Sequence, residues 1–162
     1  EGRYTLSKRT MAYAAVLRGI AQRGPQAFYE GAVAEDIVRR VKGHARPGLL
    51  TTADLAGYRP LVRPPLCTDW RRYRVCGFGP PSSGHLTLMQ ILGLLETQPA
   101  AQAAPGLTVD WLHAYAESAK LAFADRAQYI GDPAFVSAPG GDWQSLLAPA
   151  YLKQRGALIE AA

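Results

Sequence analysis

The apolar positions recur mostly at helical spacing. Leu6, Tyr13, Leu17 and Ile20 share one face of a helix predicted over 5–23, with Thr5 able to cap its start and Gly24-Pro25 ending it. A second helix is predicted over 31–42, with Val33, Ile37, Val38 and Val41 on its buried stripe, followed by a loop from Gly43 to Gly48. Thr51 with Asp54 three residues on has the form of a capping box, which predicts a short capped helix through Tyr58. Ser82 or Ser83 can cap a helix that carries Leu88, Ile91, Leu92 and Leu95. Thr108 starts a long helix from Val109 to about Ile130. One of its faces holds Trp111, Tyr115 and Ala122, and the neighbouring stripe holds Leu112, Ala116, Ala119 and Phe123. Gly131 and Pro133 terminate it. A last helix is predicted from Pro149, carrying Tyr151, Leu152, Leu158 and Ile159.

The period changes to two over 61–70 and 73–78, which predicts a β-hairpin turning at Arg71-Arg72. Pro64-Pro65 marks its first strand as an edge or an interrupted strand. Arg71-Arg72 is an unfavourable turn, because two-residue hairpin loops favour Asn and Gly. With that loop, Trp70 faces Tyr73 and Cys67 faces Cys76, the latter as a non-hydrogen-bonded pair with Cα atoms about 4.5 Å apart. That spacing accepts a disulfide in an oxidising compartment, but two half-buried thiols are the favoured reading. The fold class is α+β, mostly helical with one β-hairpin, read as a single incomplete domain over 1–162 with a surface loop at 98–106. The apolar stripes outnumber the elements available to cover them, so some are expected to face a partner, with self-association into a dimer or higher oligomer as a consequence.

Composition adds limits. An apolar fraction of 48% and a charged fraction of 19% fit a folded chain. No apolar run reaches the ~20 residues that span a bilayer. The chain begins Glu1-Gly2-Arg3 without an initiator Met and without a visible leader, as expected of a processed or excised piece. The net charge of +5 comes from scattered Arg, densest at Arg39-Arg40-Lys42 and at Arg71-Arg72 with Arg74. No basic face with interleaved aromatics is legible, so no nucleic-acid partner is expected. Two cysteines exclude a Cys-rich metal site.

Candidate chemistry is sparse. His44, His85 and His113 stand apart without ligand spacing, so no metal and no cofactor is expected. Ser82-Ser83 lies near His85, but the text Gly79-Pro80-Pro81-Ser82-Ser83-Gly84-His85 lacks the G-x-S-x-G of a nucleophile elbow. The Ser82-Ser83-Gly84 helix start could accept an anion, yet no Lys follows it. Asp125 beside Arg126, and Asp132 before Pro133, read as ion-pair and turn residues.

Four ordered segments together resemble the γ-glutamyltranspeptidase family, in the C-terminal part of its large subunit. They are Ala27-Phe28-Tyr29-Glu30-Gly31 with Ala34-Glu35-Asp36-Ile37; Gly48-Leu49-Leu50-Thr51 through Asp54-Leu55-Ala56-Gly57-Tyr58; Tyr73-Arg74-Val75 leading into Pro80-Pro81-Ser82-Ser83-Gly84; and Glu117 with Lys120 to Arg126, then Tyr129-Ile130-Gly131-Asp132-Pro133 and Phe135-Val136. Gly79, His85 and the hairpin turn at Arg72 depart from the family's usual proline, glycine and glycine. The resemblance implies a partial piece of an N-terminal-nucleophile hydrolase (αββα) fold. It implies a zymogen that cuts itself and exposes a threonine nucleophile whose α-amine serves as base. It also implies transfer of γ-glutamyl groups from glutathione and related compounds to water or amino acids, in a periplasmic or secreted setting. The expected partner is the remainder of the same precursor. The family's Thr-Thr-His-like motif is absent: Thr51-Thr52 is followed by Ala53-Asp54. The carboxylate-gripping arginine and the oxyanion-hole pair belong to other segments, so the expected catalytic, cofactor and metal residues are none. A threonine-nucleophile amidase of the cephalosporin acylase type, or a non-catalytic interaction domain, fits the same segments.

Overall fold

The computed structural model describes residues 7–103 and 108–160, which form two compact units, 1–61 and 62–162. Thr5 and Leu6, expected to start the first helix, lie outside the described residues, as does the 104–106 part of the expected loop.

The first unit holds α1 (Lys8–Arg23), α2 (Gln26–Tyr29), α3 (Gly31–Lys42) and α4 (Thr52–Gly57). Ser7 caps α1 by accepting from the Thr10 amide. Gly24 ends it at φ 76°, a left-handed conformation that a side chain would resist, and its N–H reaches the Ile20 carbonyl at 2.8 Å. α3 spans the expected residues and buries Ala34 and Val38, with Val33, Ile37 and Val41 half-buried. The capping box of α4 is complete: Asp54 Oδ2 accepts from the Thr51 amide at 2.8 Å, and the Asp54 amide donates to Thr51 Oγ1 at 3.1 Å. The Thr51 hydroxyl, and then its amide, hold the Asp54 carboxyl below the usual carboxylate range. The ring of Tyr58, just past α4, stacks on Tyr29 of α2 at 5.5 Å. Tyr13 and Leu17, expected inside, are exposed.

The second unit holds β1 (Leu66–Trp70), β2 (Tyr73–Gly77), α5 (Gly84–Glu96), α6 (Pro99–Ala103), α7 (Val109–Tyr129) and α8 (Pro149–Gly156), with 3₁₀ turns at Pro139–Gly141 and Trp143–Leu147. The strands pair antiparallel in the expected register, Trp70 opposite Tyr73 and Cys67 opposite Cys76. The two cysteines are bonded, with Cα atoms 4.1 Å apart, which corrects the favoured reading of two half-buried thiols: the register brings them close enough for the bond. β1 starts only after Pro64-Pro65, since neither proline can donate to a ladder. Arg71 takes the tight turn at φ 53°, a left-handed conformation that favours glycine.

Helix α5 is the centre of this unit. Its Ile91, Leu94 and Leu95 meet Ala114 and Ala122 of α7, and Trp111, Leu121 and Leu152 pack around them. Gly93 lets α8 approach: a Cβ there would lie 2.6 Å from Leu152 Cδ1. The buried set on α5 also includes His85, Leu86, Thr87, Met89 and Gln90, whereas Leu88 of the expected stripe is exposed. On α7 the stripe of Leu112, Ala116 and Phe123 is exposed too, and the buried face is Ala114, Ser118, Ala122 and Asp125.

The stretch expected as a loop at 98–106 is helical over Pro99–Ala103. Proline is favoured at a first helical position and alanine has the highest helix propensity. The last helix ends at Gly156, leaving Leu158 and Ile159 beyond it. The architecture is α+β, mostly helical with one two-stranded hairpin, as the periodicities predict.

Candidate functional site

Three polar constellations surround α5. The first crosses from α5 through α7 to α8. Asp125 of α7 is buried at 4% exposure and accepts from three donors: the Gln90 amide, the Tyr151 hydroxyl at 2.9 Å and Arg155 Nη2 at 2.8 Å. The carboxylate is thus neutralised by one guanidinium and occupied by two neutral donors. Tyr151 is pushed up to about 12, first by burial and then by donating to Asp125, so it stays a protonated donor rather than a base. This cluster has the chemistry of a cross-link. Asp125 is an ion-pair residue, as expected, and its partner is Arg155 of α8 rather than the adjacent Arg126, whose side chain leaves the helix about 100° away.

The second constellation is the loop before α5. Arg126 Nε donates to Ser83 Oγ at 2.8 Å, so Ser83 occupies the N-cap position without capping through its side chain, contrary to expectation. Arg63 Nη1 donates to the Pro80 carbonyl at 3.1 Å, and its other nitrogen lies 3.7 Å from Asp132 Oδ1. Asp132 also accepts from the Ala134 amide at 3.0 Å, the expected turn role. Two guanidiniums therefore pin a loop that the sequence singled out.

The third is His85. Its Nε2 lies 3.1 Å from Thr68 Oγ1 of β1, and its ring rests on Gly77 of β2, where a Cβ would meet His85 Cβ at 2.9 Å. The imidazole thus fastens the hairpin to α5 and faces away from the serine-base role. Burial holds it below its ordinary value of 6.5. The unfolded chain therefore binds the proton more readily, and stability is retained above about pH 6.5 and lost as pH falls below it. The urea midpoint of the chain is expected to decline from pH 6.5 to 5, and His85→Gln to flatten that decline; parallel slopes for both proteins would disprove the assignment.

Thr51 and Thr52 lie at the start of α4, where the Thr51 hydroxyl donates to Asp54 Oδ2 at 2.7 Å as part of the capping box. His44 bonds the Arg46 backbone and His113 the Glu160 carbonyl. Among the described residues no cluster of three His, Cys, Asp or Glu has metal-binding geometry. A cavity of about 240 Å³ lies between Trp70, Arg71, Leu92, Glu96 and Trp111, below the ~300–1,000 Å³ usual for ligand sites. The residues that sequence reasoning missed are Gln90, Tyr151 and Arg155. Tyr151 and Arg155 at i and i+4 were a legible signal of one shared face.

A γ-glutamyltranspeptidase from Helicobacter pylori superposes with a TM-score of 0.75 at 34% identity, covering 99% of this chain and 44% of that one. One from Pseudomonas nitroreducens gives 0.76 at 29% identity. The fold is accordingly that of a piece of an N-terminal-nucleophile hydrolase. The Gamma-glutamyltranspeptidase family profile matches residues 4–162, and the chain belongs to that family. The glutathione hydrolase proenzyme of Escherichia coli K12 is 41% identical over 137 residues, 85% of this chain and 23% of that protein. The acylase ACY 1 proenzyme of Pseudomonas sp. SE83 is 40% identical over 148 residues, 91% of this chain and 25% of that protein. The chain spans about a quarter of the length of the curated relatives it matches.

Proposed function

We propose that this chain is scaffold within an enzyme that cleaves glutathione and other γ-glutamyl compounds, passing the γ-glutamyl group to water or to amino acids. The family match over residues 4–162 carries the reading. Residues 1–162 form one incomplete piece of the large subunit. Its partner is the remainder of the same precursor, in keeping with relatives named as proenzymes. The part played by this piece is positional: α5, α7 and α8 are cross-linked through Asp125, and the Pro80 to Ser83 loop is pinned by Arg63 and Arg126. The catalytic threonine, the carboxylate-gripping arginine and the oxyanion-hole pair come from other segments. The Cys67–Cys76 disulfide supports a periplasmic or secreted setting, since such bonds persist in oxidising compartments.

The acylase reading rests on a relative of nearly equal identity and uses the same scaffold. The small subunit's sequence separates the two. The test is a chimaera in which these residues replace the matching segment of the E. coli glutathione hydrolase proenzyme. Self-cleavage and release of p-nitroaniline from γ-glutamyl-p-nitroanilide are expected. A soluble chimaera that stays uncut and inactive overturns the proposal in favour of a non-catalytic interaction domain. The 162-residue chain alone is expected to release no more p-nitroaniline than a heat-killed control, because it brings no nucleophile.

A further inference from the structure

The hairpin presents its two faces to different surroundings. Thr68 and Gly77 point toward α5, where they meet His85. Alternation therefore turns Cys67 with Asp69, and Cys76 with Arg74, to the opposite face. There Cys76 is exposed and Cys67 half-buried. The bond joins residues only 9 apart, in a hairpin whose register is also fixed by the ladder from Leu66–Gly77 to Trp70–Tyr73. No strand residue belongs to the core cluster around Ile91, Leu94 and Ala122. The exposed end of the disulfide is thus Cys76, outside the core cluster. Exposure of that kind marks labile, exchange-competent disulfides rather than inert structural ones.

On the cysteine face Arg74 stands opposite Asp69, and Arg71 in the turn is paired with Glu96 at 3.1 Å. We propose that Cys67–Cys76 is a thiol-exchange site for small thiols, which become attached at Cys76. The proposal goes beyond γ-glutamyl transfer and stands independently of it.

The step balances with the thiol as reductant. An incoming thiolate attacks Cys76 Sγ, a new S–S bond forms to Cys76, the Cys67–Cys76 bond breaks, and the electron pair leaves on Cys67 as a thiolate that takes a proton from solvent. A second thiolate attacks the attached sulfur, releasing the small-molecule disulfide and the Cys76 thiolate. Two thiols are oxidised to one disulfide, and the protein disulfide is reduced to two thiols.

The test treats the oxidised chain with reduced glutathione in native buffer, quenches with iodoacetamide, and maps the products by mass spectrometry. One glutathionyl group on Cys76 with an alkylated Cys67 is expected, at a rate proportional to glutathione concentration and with native tryptophan fluorescence throughout. Arg74→Glu is expected to slow the glutathione reaction about fivefold at low salt, given a charge reversal two residue pairs away on the same face of the hairpin. The same variant should slow 2-mercaptoethanol less, because its attacking thiolate carries a smaller negative charge than that of glutathione. Attachment mainly at Cys67, a rate independent of thiol concentration, an unaltered glutathione rate in Arg74→Glu, or two free thiols in untreated protein from an oxidising source would each overturn the proposal.

Discussion

Replacing Arg155 by methionine is expected to destabilise the second unit by about 3–5 kcal/mol, the usual consequence of removing one partner of a buried ion pair. The side chain would keep its length along α8 but lose the guanidinium 2.8 Å from Asp125 Oδ1. Asp125 would be left with a buried negative charge and only the Gln90 amide and the Tyr151 hydroxyl as partners. Two neutral donors offset part of the desolvation of a carboxylate and do not replace a counter-charge. The measurement is simple because all three tryptophans, Trp70, Trp111 and Trp143, lie in the 62–162 unit, so their fluorescence in urea follows that unit. Adding Asp125→Asn to Arg155→Met removes the stranded charge and is expected to recover at least half of the loss. A single-variant loss under ~1 kcal/mol, the size of an exposed pair, would show that the cluster is solvated.

That cluster also shows where sequence reasoning stops. Local rules were legible. The Thr51–Asp54 box, the Thr108 cap, the Gly24 stop and the pairing of Cys67 with Cys76 each depend on residues fewer than ten positions apart, and each is in place. Whether Cys67 and Cys76 were bonded did not follow from the register alone. The ion pair of Asp125 lay 30 residues away on another helix, and nothing in the spacing of α7 points to Arg155. Serine at the start of α5 has the right identity for a cap, but the guanidinium of Arg126 competes for its hydroxyl. Burial was the least legible property. Helix α5 is apolar around most of its surface, so periodicity could not say that Met89 and Leu86 would be inside and Leu88 outside. On α7 the choice between stripes was made by small residues: Ala114, Ser118 and Ala122 permit close approach to α5, and the larger Leu112 and Phe123 do not.

The same contrast yields the second large effect. Leu94→Ala is expected to cost about 3–5 kcal/mol, toward the upper end for leucine truncations. Leu94 is 0% exposed, and its neighbours across the seam include Ala114 and Ala122, which have no side-chain length with which to close the space left behind. Phe123→Ser, by contrast, is expected to change stability by less than about 0.5 kcal/mol, as surface substitutions do. Phe123 is 55% exposed, and phenylalanine and serine have similar helix propensities. The larger aromatic should nonetheless matter for association, since Leu112, Tyr115 and Phe123 leave an apolar stretch of α7 uncovered. Light scattering of the chain over a concentration series is expected to show self-association that weakens in a Leu112→Ser, Phe123→Ser double variant. A loss above 2 kcal/mol for Phe123→Ser alone would place that ring in the unit's own core. A monomer at every concentration would mean that the exposed stripe is tolerated in water. Small losses from Phe123 with large ones from Leu94 would divide α7 into a face that holds this unit together and an apolar face that contributes nothing to its stability.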